Sequence, residues 1–264
     1  MDAKCEQGIV IEEVVKVTEQ CSAYGRSTKY LRKNHKDFEI AGKPAVVFNH
    51  MQVGLCGGGS FTANWSENAV KQIEETGFIP NCIKLAEAFR AKGLPVVFVN
   101  AIPDPFGILP AYGDLPRELK STFGARGYPR WFTDEWYRKG LEVMPEMNLQ
   151  DTDYVLFNWL VHPFTCSGLD RVLRANHVDT IVWAGYAQHS ACTTATLVAA
   201  DYWFNNILPV DASPVVIPGN LPEKHDGLTE IVAEATVRVQ AAQVAHCTDT
   251  ATVIEKLESL VCTM

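Results

Sequence analysis

Residues able to do chemistry stand where apolar runs of this sequence stop. His50 follows Ala45–Asn49, Asn158 and Trp159 close the run that starts at Tyr154, His162 lies just beyond, and His189 follows Ile181–Ala184. An imidazole titrates near neutrality, so each histidine is a candidate general acid or base. Asn158 offers a donor and an acceptor without charge, which suits it to anchoring a polar substrate. The stretch Gly185-Tyr186-Ala187-Gln188-His189-Ser190-Ala191-Cys192 reads as a glycine turn from a strand into a helix that begins with small residues. A helix start leaves backbone N–H groups unpaired, and a substrate oxygen can take them. Cys192 stands in that turn, and a thiol deprotonated by His50 or His189 would be a nucleophile.

The elements that must position these residues follow from the hydrophobic pattern. Ala45–Asn49, Pro95–Asn100, Tyr154–Asn158, Thr180–Ala184 and Ile207–Asp211 are short apolar runs, and Gln243–His246 reads as an edge strand. Between the first two, Cys82, Leu85, Ala86 and Phe89 repeat at helical spacing until Gly93. Leu169, Val172 and Leu173 mark a helix, as do the residues after Ser190, then Leu228, Ile231, Val232 and Ala235, and finally Val253, Leu257 and Leu260. Uniformly apolar strands alternating with helices predict an α/β fold, a three-layer α/β/α sandwich with a mostly parallel central sheet. Ligands of such sheets bind beyond the C-terminal ends of the strands.

Residues 1–42 read as a polar N-terminal extension and 43–264 as one domain. An insertion at about 102–145 is broken by Pro103, Pro105, Pro110, Pro116 and Pro129 and rich in aromatic residues. It is expected to pack on the body or on a partner subunit, or to form a lid. Cys56-Gly57-Gly58-Gly59-Ser60 lacks phosphate-loop spacing and reads as a turn. Phe61 and Trp65 beyond it are candidate walls of an aromatic pocket.

Net charge is −8 with no long run of one sign, so no basic face for nucleic acid is expected. The eight cysteines are scattered without a CxxC pair, the pattern of reduced cytoplasmic thiols. The first residues carry no signal-like apolar core, and no apolar run reaches membrane-spanning length. The expected partner is therefore a small-molecule substrate, with no nucleic acid, no membrane, and no cofactor.

In their order these motifs resemble the isochorismatase-like superfamily of cysteine hydrolases, over roughly residues 44–260. Val47-Phe48-Asn49-His50-Met51-Gln52 stands where the family has an apolar strand and Asp-Met-Gln. Asn158 ends the run where the family has its lysine. Phe164, Leu169 and Val172-Leu173-Arg174 match the next helix, Asp211-Ala212 the end of the fifth strand. Gly185–Cys192 aligns without a gap to Gly-x-Ala-Thr-x-x-Cys-Val, which puts Ala191 at the cysteine and Cys192 one residue late.

The resemblance implies a hydrolase that assembles as a homodimer or higher homo-oligomer. It also implies a cis Tyr186–Ala187 peptide and an oxyanion pocket formed by the N–H groups of Ala187 and Ala191. The family's catalytic Asp, Lys and Cys fall on His50, Asn158 and Ala191, so all three chemical groups are replaced. One step along a helix turns a side chain by about 100°, which sends Cys192 toward the packing side if Ala191 faces the pocket. Met51–Cys56 lacks the metal-ligand set of nicotinamidases, so no metal is expected. A three-histidine site from His50, His162 and His189 is the alternative.

The reading that follows is a hydrolase of a small amide, ureide or enol ether, working through a site without the family cysteine. His50 would be acid or base, with Gln52, Phe61, Trp65, Trp159, His162 and His189 as substrate contacts. Two alternatives stand beside it. One is a cysteine hydrolase using the displaced Cys192. The other is a non-catalytic relative that binds a small ligand or serves as an assembly partner.

Overall fold

The structure, a computed structural model, describes residues 27–56, 76–102, 135–159, 161–216 and 227–260. Strands β1 (Pro44–Asn49), β2 (Val96–Ile102), β3 (Tyr154–Trp159), β4 (Thr180–Gly185), β5 (Asn205–Pro209) and β6 (His246–Thr248) form one sheet. Their order is β3-β2-β1-β4-β5-β6, and every neighbouring pair is parallel. The helices are α1 (Val53–Cys56), α2 (Phe78–Ala91), α3 (Glu135–Gly140), α4 (Leu169–Ala175), α5 (Thr193–Asp201), α6 (Leu228–Gln243) and α7 (Thr250–Ser259).

Alternation along the strands sorts the apolar residues onto two faces. Val46, Phe48, Val96, Phe98, Val182 and Ala184 pack with α2 and α7 through Cys82, Leu85, Phe89, Val253 and Leu257. Ala45, Val47, Val97, Val99, Ile181 and Trp183 pack with α4, α5 and α6 through Leu169, Leu173, Ala195, Ala199 and Val237. Both faces are covered, which is why the central strands are apolar at every position and why a three-layer α/β/α sandwich forms. The helix expected from Cys82, Leu85, Ala86 and Phe89 buries all four.

Two strands differ from the sequence expectation. β5 spans Asn205–Pro209, two residues earlier than expected, because Asn205 N–H already donates to Asp179 O at 2.9 Å and starts the pairing. The edge strand begins only at His246. The N–H groups of Val244 and Ala245 both donate to Gln240 O, which closes α6 over residues assigned to the strand.

Candidate active site

The order in which the strands are added reverses between β1 and β4, the place where parallel α/β sheets open a crevice. The two strand ends are locked together there. Gly185 has φ +93°, and a Cβ on it would lie 2.3 Å from Asn49 O, so only glycine fits. Tyr186 N–H donates to that same Asn49 O at 2.8 Å. The Tyr186–Ala187 peptide is cis. Gln188 N–H then donates to Pro214 O at 2.8 Å, and Gln188–Cys192 form a π-helical turn that feeds α5.

His50 leaves β1 with φ 51° and donates its N–H to Val99 O at 2.8 Å. Its ring is buried beside the Asn158 side chain. Burial pushes the imidazole down to about 4, and the hydrogen bond with Asn158 opposes only part of this. At neutral pH the ring is therefore uncharged. Asn158 Nδ2 donates to His162 O at 2.9 Å, which draws the loop after β3 toward the same pair. Phe164 N–H donates to His162 Nδ1 at 3.2 Å, so the proton of the neutral ring sits on Nε2. Burial also lowers the His162 and His189 imidazoles, His189 to about 4.

Several buried polar atoms at these strand ends have no hydrogen-bond partner among the described residues. They include His50 Nε2, His162 Nε2, His189 Nδ1, Asn49 Oδ1 and both amide atoms of Gln188. Native interiors tolerate few such atoms, and each calls for a ligand, a water or a functional role.

Ala191 is fully buried and fills little space. Cys192 is turned away, into the layer formed with Val237, Ala195 and Trp183, as the helical step requires. Asn49 Nδ2 donates to its Sγ at 3.3 Å, and Ser213 Oγ lies 3.1 Å from the same sulfur. Burial pushes the thiol up to about 11 although both contacts act to lower it. It is protonated and enclosed at neutral pH, which suits a packing role better than that of a displaced nucleophile.

Gln52 departs from its expected substrate contact. Its Nε2 donates to Ala101 O at 3.1 Å and Gly140 O at 3.0 Å, and its Oε1 accepts from Ala101 N–H at 2.6 Å. The amide is spent on tying the end of β1 to β2 and α3. Trp159 closes β3, whereas Phe61, Trp65 and most of the 102–145 insertion lie outside the described residues, as does residues 1–26 of the extension. Among the described residues no group of three or more His, Cys, Asp or Glu is placed to hold a metal. That leaves the three-histidine alternative without a geometric basis.

Gln188 is the residue that motif reading passed over. The signal was present, since it occupies the threonine position of Gly-x-Ala-Thr, but its burial without partners is a tertiary outcome. A cavity of about 400 Å³ opens elsewhere, lined by Phe38, Thr180, Phe204, Asn205 and His246 at the other end of the sheet. It contains none of the candidate residues.

Residues 44–251 match the family model of the isochorismatase domain. The chain belongs to the isochorismatase family. Over 148 residues it is 28% identical to the uncharacterized isochorismatase family protein YwoC of Bacillus subtilis, covering 55% of this chain and 72% of that one. A cysteine hydrolase from Pseudomonas syringae shares the fold with a TM-score of 0.62 at 22% identity, over 82% of this chain and 93% of that one. An N-carbamoylsarcosine amidase from Thermoplasma acidophilum does so with a TM-score of 0.51 at 22% identity, over 79% and 97%. The chain thus carries the isochorismatase-family hydrolase fold.

Proposed function

We propose that this isochorismatase-family protein hydrolyses a small amide, ureide or enol ether without a covalent cysteine intermediate. The observation that carries this reading is His50, whose buried Nε2 has no hydrogen-bond partner among the described residues while its ring contacts Asn158 at the strand ends. For an amide, neutral His50 takes a proton from water as the resulting hydroxide adds to the carbonyl carbon. The oxyanion is received by the N–H groups of Ala187 and Ala191. Collapse breaks the C–N bond, and the leaving amine takes the proton back from His50. Asn158 holds the ring and anchors the substrate. A cytoplasmic setting belongs to the same proposal, supported by free cysteines at 56, 82, 166, 192 and 247, as does a homo-oligomer, which rests on the family resemblance alone. Among the described residues no helix is long and apolar enough to cross a membrane.

The low basicity of His50 and the lost nucleophile favour a second reading, a non-catalytic relative that retains a ligand pocket or assembly role. A panel of amides, ureides and vinyl ethers separates the two. Turnover that falls about 10²–10⁴-fold in His50→Ala and persists in Cys192→Ala supports the hydrolase. Turnover untouched by His50→Ala removes that residue from the mechanism. Ligand-induced stabilisation with no turnover favours the binding protein.

A further inference from the structure

We infer that Gln188 is the residue that selects the ligand, by pairing its side-chain amide with a group that presents one donor and one acceptor side by side. Such groups are the primary carboxamide and the ureide. The inference rests on the ligand pocket of the proposed function and narrows its substrate class.

Gln188 is fully buried, yet among the described residues neither its Nε2 nor its Oε1 has a hydrogen-bond partner. Its backbone is fixed on both sides. The N–H donates to Pro214 O at 2.8 Å, and the carbonyl accepts from Thr193 Oγ1 at 2.6 Å and from Thr193 N–H. The side chain is thus anchored at its root, directly after the cis peptide, with its whole hydrogen-bonding capacity unmet. A glutamine amide presents a donor and an acceptor in one plane. A carboxylate, an ether or a ketone supplies acceptors alone and would answer Nε2 while leaving Oε1 unmet. A carboxamide or ureide answers both at once, as in the paired contacts that glutamine makes to adenine.

The surroundings agree with a neutral ligand. The neighbouring side chain, His189, has a buried Nδ1 without a partner, and the flanking Ala187 and Ala191 add no charge. Where the family pattern has an aspartate and a lysine, His50 and Asn158 supply no formal charge either. No fixed cation among these residues is available to hold a carboxylate, and no anion to hold an amine.

The test measures binding by calorimetry and thermal shift, using benzamide against benzoate, isobutyramide against isobutyrate, and methylurea as probes. Wild-type protein is expected to bind at least one amide or urea probe and to prefer each amide over its carboxylate by about tenfold to a hundredfold, the cost of an unmet buried polar group. Gln188→Met keeps the volume and removes both polar atoms. It should weaken the amide probes by a similar factor and the carboxylates, which use Nε2 alone, much less, erasing the preference. An equal preference in wild type and Gln188→Met overturns the inference. So does a wild type without preference, which decides the matter even if the variant fails to fold. Amide binding that depends on Gln188 but leads to no turnover removes the hydrolase reading and leaves this inference standing. Amide turnover indifferent to Gln188 does the reverse.

Discussion

The two ends of the central sheet treat their polar groups in opposite ways. At the N-terminal end they are stitched together. Asp179 Oδ2 accepts from Lys43 N–H at 2.9 Å, Asp179 N–H donates to Lys43 O at 2.8 Å, and Thr180 Oγ1 donates to Ala41 O at 2.5 Å. Asn206 donates to Thr196, Phe204 and Val244 carbonyls and accepts from Trp183 Nε1 at 2.8 Å. Arg90 and Asp153 form a pair at 2.6 Å, and Gln240 Nε2 is the exception, buried without a partner. At the C-terminal end, Asn49, His50, His162, Gln188 and His189 keep buried atoms unmet. One end has most of its polar groups paired, whereas the other holds buried polar atoms that no described group answers.

Acid should expose this difference most strongly. His50 and His189 sit at about 4 in the folded protein against an unfolded value near 6.5. The unfolded chain therefore takes up protons first. Stability is complete above pH 6.5 and falls as pH drops toward 4, by about 1.4 kcal/mol per pH unit per histidine, or roughly 3 kcal/mol each by pH 4. Urea denaturation between pH 7 and 4 measures the slope, and His50→Gln or His189→Gln should each remove about half of it. A slope that neither variant alters would place the acid sensitivity elsewhere in the molecule.

Gly185→Ala comes next, because its Cβ would meet backbone at Asn49 in a left-handed conformation. The loss should be about 3 kcal/mol or more by denaturant unfolding. Asn206→Ala, at the stitched end, leaves the Trp183 indole N–H buried and unpaired and should cost about 2 kcal/mol. The smallest effect has the opposite sign. Gln188→Met removes two unmet atoms and should stabilise the unliganded protein by about 1 kcal/mol. Destabilisation by Gln188→Met of the same size as in Asn206→Ala would erase the distinction between the two ends.

Much of the fold was legible in the sequence, because strands buried on both faces must be apolar throughout and helices must repeat at their own period, whereas the polar stitching by Asp179 and Asn206 was not. The orientation of Cys192 was legible too, since one helical step fixes it relative to Ala191. Gln52 was not. A glutamine in a motif reads the same whether its amide meets substrate or, as here, the backbone of Ala101 and Gly140. The start of β6 was also hidden, because apolar Val244 and Ala245 suit a strand and a helix end equally. Gln188 shows the deeper limit. Sequence gives its chemistry, but only packing decides that no described group answers it.

The enclosure of Cys192 has a consequence for how this protein would be found in a cell extract. Electrophilic probes that report cysteine hydrolases work by alkylating an accessible thiolate. Here Cys166 is the exposed thiol among the described cysteines, whereas Cys192 lies sealed beneath Asn49 and Ser213. Such a probe would mark the loop between β3 and α4 and leave the turn after β4 silent. A survey of active cysteine hydrolases by that chemistry would label this family member at Cys166 and learn nothing of the turn after β4, whatever reaction it performs.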